Sequence, residues 1–109
     1  MEQNTVEEGK TAAIVSYLTW VGTLIAFLMN NTKKNPFASF HIRQAFGLSV
    51  ASLVNTFLIT KFTGAYVYGT IGLVLVVFRI IGLIGAFKGE EKLIPLLGDV
   101  FQENFKSIQ

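Results

Sequence analysis

Three long stretches of the chain carry no charged side chain: residues 11–32, 44–60 and 62–78. At about 1.5 Å of rise per residue, roughly 20 apolar residues span the ~30 Å hydrocarbon core of a bilayer. The pattern predicts three helices, at about 11–29, 36–60 and 65–87. A polar loop from Asn30 to Asn35 separates the first two, and Asn35–Pro36 is a start signal. Asn accepts a hydrogen bond from a free N–H of the first turn, and Pro at the first helical position loses nothing by lacking its own. Lys61 and Gly64 mark a tight second connection. Beyond it, Leu97, Val100, Phe101, Phe105 and Ile108 fall near helical spacing between Asp99, Glu103 and Lys106. Residues 96–109 therefore read as an amphipathic helix on the membrane surface or on a partner. Residues 1–10 read as a polar tail and 11–95 as the membrane domain. The fold class expected is all-α: three transmembrane helices plus a short C-terminal amphipathic helix.

Composition sharpens this. Of 109 residues, 51% are hydrophobic and 15% are charged, well below the ~25% charge of soluble domains. That excludes a soluble enzyme, and the lack of cysteine excludes disulfide chemistry. The 9 Lys and Arg against 7 Asp and Glu sit at the ends of apolar runs rather than in a stripe, which excludes a nucleic-acid surface. Three crossings place the termini on opposite sides. Lys33, Lys34, Arg43, Lys88, Lys92 and Lys106 then share one side, against Lys10 and Lys61 on the other. By the positive-inside rule this predicts a multi-pass protein of the bacterial inner membrane, N-terminus outside and C-terminus cytoplasmic.

Within each predicted helix, small and polar residues gather on one face and branched apolar residues on the other, the pattern of packed membrane helices. Three residues of the resulting seam stand out. Arg79 lies nine positions before Lys88, about 13 Å inside the helix end, and no Asp or Glu falls in any predicted span to neutralise it. It is expected to face the bundle interior or a partner. Asn55 suits an interhelical hydrogen bond. His41 and Gln44, one turn apart at headgroup level, are expected to bond the turn that emerges from the third helix between Ala86 and Pro95. No catalytic set, cofactor loop or metal-ligand spacing is present, so the chain is expected to be no enzyme and to hold no cofactor.

Pro36–Phe37 followed by Phe40-His41-Ile42-Arg43-Gln44-Ala45, with Ala86-Phe87-Lys88-Gly89-Glu90 and Pro95-Leu96-Leu97-Gly98-Asp99, resembles a family of small bacterial membrane proteins. That family is distantly similar to the Tic-twenty component of the chloroplast inner-envelope protein translocon. The resemblance singles out His41, Gln44, Gly89 and Pro95. With it, the expected function is a non-enzymatic subunit or assembly factor of a membrane complex, linked to protein translocation. The alternative is a homo-oligomeric channel or transporter for a small anion, with Arg79 and Asn55 along its path. The bilayer, and either a membrane-protein partner or further copies of the chain, are the expected partners; nucleic acid is not.

Overall fold

The computed structural model describes residues 3–59, 61, 64–106 and 108. The described residues form five α-helices: α1 (Gln3–Leu18), α2 (Trp20–Lys33), α3 (Pro36–Val54), α4 (Ala65–Lys88) and α5 (Gly98–Asn104). A π-helical turn, Asn55–Ile59, continues α3. Thr60, where the second helix was expected to end, lies outside the described residues, as do residues 1, 2, 107 and 109 of the expected tails.

The first charge-free stretch is not one helix. Thr19 is extended (φ −155°, ψ 174°), and its hydroxyl accepts from the Gly22 N–H as the N-cap of α2. From there α2 folds back along α1. Thr23 Oγ1 donates to the Ser16 carbonyl at 2.7 Å, which two turns of continuous helix would hold far apart. Ala12 and Ala26 share one buried cluster with Ala38 and Ile42. At the open end Asn35 Nδ2 donates to the Thr5 carbonyl at 2.9 Å. Small residues permit the close approach: a Cβ at Gly9 would meet the Asn35 side chain, and one at Gly22 the Val15 carbonyl. The N-terminal segment, expected as a tail, is thus helical from Gln3, with Val6 and Gly9 buried.

Asn30 locks the turn into α3. Its amide donates to Ser39 Oγ at 2.9 Å, its Oδ1 accepts from the Asn35 N–H at 2.9 Å, and Lys34 takes the left-handed conformation between them. Asn35 caps α3 through Ala38 N, with Pro36 in the first turn. At the far end of α4, Gly89 (φ 74°) gives the left-handed C-cap, and Glu90 N bonds the Gly85 carbonyl at 2.9 Å, closing a Schellman-type stop. The C-terminal segment neither lies free nor awaits a partner. Phe101 of α5 covers Gly47, where a Cβ would strike its ring, and the Phe105 and Phe46 rings stand edge to face at 4.9 Å. Gln102 Nε2 donates to the Phe40 carbonyl at 2.8 Å, and Arg43 Nε to the Ile108 carbonyl at 2.8 Å. Phe101 and Phe105 are thus spent on α3, whereas Val100 of the same segment stays exposed.

Among the described residues α4 is the one helix that is by itself long and apolar enough to cross a membrane, and the three transmembrane helices expected from the sequence are not shown. With 16 and 14 residues, α1 and α2 reach only about 24 and 21 Å. Thr5, Asn35 and Gly89, the last against Val6, lie together at one end of the bundle.

Gly22→Ala is expected to push α2 off the Val15 backbone, which cannot yield as a side chain can. The expected loss is about 1–3 kcal/mol, read as a lower thermal midpoint in detergent. Gly69→Ala, whose Cβ meets nothing within 4 Å, should leave that midpoint unchanged or raise it.

Candidate functional site

Tyr17, His41 and Gln44 are buried to 1%, 0% and 0% exposure where α1, α3 and the turn after α4 meet. His41 Nε2 lies 2.8 Å from the Glu90 carbonyl. A carbonyl only accepts, so Nε2 carries the proton. Nδ1, 2.7 Å from Tyr17 Oη, then accepts the tyrosine proton. The Gln44 amide supplies two donors, to Tyr17 Oη at 2.7 Å and to the Lys92 carbonyl at 3.1 Å. Its Oε1 accepts from the Ile94 N–H at 2.7 Å, which fixes the amide orientation. A neutral imidazole satisfies every group at once. A doubly protonated ring would leave the Tyr17 hydroxyl hydrogen without an acceptor. Phe37 and Phe40 stand edge-on to the His41 ring at 4.8 and 5.0 Å, and Gly82 leaves room for the Tyr17 ring, which a Cβ there would strike. His41 and Gln44 therefore hold the Glu90–Ile94 turn against α3. Both groups are used up in that role and face no open cavity.

Arg79 reaches from α4 to the point where α1 breaks. Nη1 donates to the Tyr17 carbonyl at 3.1 Å and Nη2 to Ser49 Oγ at 3.3 Å. The last carbonyls of a helix lack intrahelical partners and carry its negative dipole end, so a guanidinium suits this position. Asn55 stands apart, at the π-helical turn. Its Nδ2 donates to the Tyr68 carbonyl at 3.2 Å, while its buried Oδ1 has no hydrogen-bond partner among the described residues. Gly89 forms the C-cap of α4, and Pro95 is exposed in the following turn. The structure thus joins His41 and Gln44 to the segment bearing Gly89 and Pro95, and separates them from Asn55.

Two concavities accompany these groups. At the terminal end Lys34, Pro36, Ser39, Phe40, Arg43 and Glu91 surround a small pocket of about 370 Å³. Partial burial raises the Glu91 carboxyl above its usual range, and the Arg43 guanidinium opposes this. Higher up, a crevice of about 950 Å³ opens between α2 and α3, with Arg79 in its lining. Among the described residues no three His, Cys, Asp or Glu side chains gather as a metal site. Tyr17, Thr19 and Ser49 were not picked out by the sequence reading. A tyrosine in a charge-free run needs a partner for its hydroxyl when buried, and Thr19 ahead of Gly22 has the form of an N-cap. Both signals were there to be used.

A family model described as the Magnetosome magnetite crystal formation protein family (MamF/MmsF) matches residues 8–101. No curated protein and no solved structure matches the chain. The family match overturns the expected Tic-twenty-like identity, because the two families conflict over the same stretch of chain.

Gln44→Leu is expected to strand the Ile94 N–H and the Lys92 carbonyl, and His41→Ala the Tyr17 hydroxyl and the Glu90 carbonyl. Leaving such groups unpaired costs about 1–3 kcal/mol each. In both variants limited proteolysis beyond Lys88 should accelerate while membrane insertion stays intact. Unchanged cleavage would show that the tail is held by α5 alone.

Proposed function

The chain belongs to the Magnetosome magnetite crystal formation protein family, and we propose that it acts in magnetite crystal formation as a non-enzymatic component of the magnetosome membrane. The observation that carries this reading is the extent of the match. Residues 8–101 take in most of the α1–α2 hairpin, the Tyr17–His41–Gln44 network with its turn, and the tail as far as Phe101. The chain is a membrane protein, and its exterior suits a bilayer: Leu24, Leu28, Leu53, Phe57, Leu73, Val76, Ile80 and Ile84 are all exposed. An apolar exterior of this extent marks a membrane or protein interface. Neither protein translocation nor an anion path draws support from the family or from the site, where Arg79 is bonded to the bundle itself.

In this reading α3, lengthened by the Asn55–Ile59 turn that continues it, crosses the membrane packed against α4, and the α1–α2 hairpin enters and leaves by one face. Backbone at membrane depth is tolerated where protein groups satisfy it, as at the Thr19 break. Of the nine Lys and Arg residues, all but Lys61 and Arg79 then lie toward the end that holds the termini. That end accordingly faces the cytoplasm. Membrane-bound partners or further copies of the chain would pack on the apolar exterior.

The role is tested by expressing the tagged chain in a magnetite-forming bacterium that lacks its own members of this family. Co-purification with magnetosomes and recovery of crystal size are the expected results. Normal membrane insertion with no effect on crystals would overturn the role. The orientation is tested separately, with reporters placed ahead of Met1 and after Gln109. Both should report the cytoplasm, and signals from opposite compartments would refute the hairpin topology.

A further inference from the structure

The Arg79 guanidinium offers five N–H donors, of which two are engaged among the described residues, on Tyr17 O and Ser49 Oγ. A guanidinium at such depth is costly to insert, and two neutral acceptors compensate its charge only in part. Arg79 also lines the 950 Å³ crevice, whose walls include Trp20, Leu24, Phe46, Val50 and Leu53. The crevice exists because α2 begins at Trp20, level with the break, while α3 continues past it to Val54. Its volume lies at the upper end of the ~300–1,000 Å³ usual for small-molecule sites.

The occupant must bring both an apolar body and an acid. The acids of a second copy of this chain all lie near its ends, since no Asp or Glu occurs between Thr11 and Gly89, so its helices bring none to this depth. A diacyl phospholipid is held by its headgroup in the interfacial layer. Arg79 is nine residues, about 13 Å of helix, from Lys88 at the charged end. A single-chain carboxylic acid has a small head that can enter the hydrocarbon layer in its neutral, protonated form and avoid the cost of burying a free charge. We propose that the crevice binds a long-chain carboxylic acid, its carboxylate on the Arg79 guanidinium and its alkyl chain along the walls of α2 and α3. Guanidinium and carboxylate match as a planar bidentate pair, and the chain replaces bilayer hydrocarbon against Leu24, Val50 and Leu53. The site rests on the membrane reading above but not on a role in magnetite formation.

Trp20 is the only tryptophan of the chain and lines the crevice, so its fluorescence reports the occupant. The protein in nanodiscs is titrated with dibromostearic acid and, in parallel, with dibromostearyl alcohol, both quenchers. In the wild type the acid should quench at a several-fold lower mole fraction than the alcohol. Arg79→Met should abolish that difference and Arg79→Lys retain part of it. Because Arg79→Met also frees the Tyr17 carbonyl, Val50→Phe provides a second variant, which narrows the crevice with the guanidinium in place and should weaken the acid's advantage. Equal quenching by acid and alcohol in the wild type would overturn the proposal. A preference that survives Arg79→Met would also overturn it.

Discussion

Breaking a helix among apolar side chains strands backbone carbonyls, and the arrangement of this bundle follows from satisfying those of α1. The chain reverses at Thr19, so the last carbonyls of α1 have no intrahelical partner. Thr23 Oγ1 takes the Ser16 carbonyl from α2, and Arg79 takes the Tyr17 carbonyl from α4. One donor thus comes from the returning arm of the hairpin and the other from a helix more than sixty residues away in sequence. The arginine and the break explain each other. Without the break a guanidinium at this depth has little reason to exist, and without the guanidinium an orphan carbonyl would sit inside the bundle.

A second constraint acts one turn lower. Tyr17, His41 and Gln44 form a closed set in which each donor has an acceptor, and the set ends on backbone groups of Glu90, Lys92 and Ile94. Buried polar networks of this kind contribute most when complete, since a single missing partner leaves a desolvated group. Completeness ties α1, α3 and the segment after α4 into one unit. From that unit α5 is delivered onto Gly47, where Phe101 is covered by α3 while Val100 stays exposed. His41 and Gln44 are therefore architectural, and the chemistry left open to a ligand lies higher up, beside Arg79.

Much of the local structure was legible. Asn35 and Pro36 begin α3, and Gly89 ends α4, because capping depends on a few adjacent residues and their backbone preferences. The contact of His41 and Gln44 with the Glu90–Ile94 turn could also be read, because both ends of that contact lie at helix termini where unpaired backbone groups are expected. The Thr19 break was not legible in the pattern of charge. A threonine among apolar residues does not interrupt a hydrophobic run, so hydropathy passes over it, whereas its hydroxyl can cap a helix. Tyr17 was missed for a related reason: an apolar ring on one helix says nothing of which distant hydroxyl partner it will meet.

Legible in the sequence alone are an all-α chain, charge that apart from Arg79 keeps to segment ends, and an acid-free stretch from Thr11 to Gly89. Those properties belong to residue type and to spacing along the chain. Folding in three dimensions is what makes the first apolar stretch double back, brings Thr5 against Asn35, and sets Arg79 on the broken end of α1. Each of those rests on contacts between segments far apart in sequence, such as Thr5 with Asn35 and Tyr17 with Arg79. Hydropathy measures how well a segment suits an apolar medium. It carries no information on whether that segment crosses the medium or turns back within it, because the backbone groups freed at the turn are satisfied by side chains the segment does not contain.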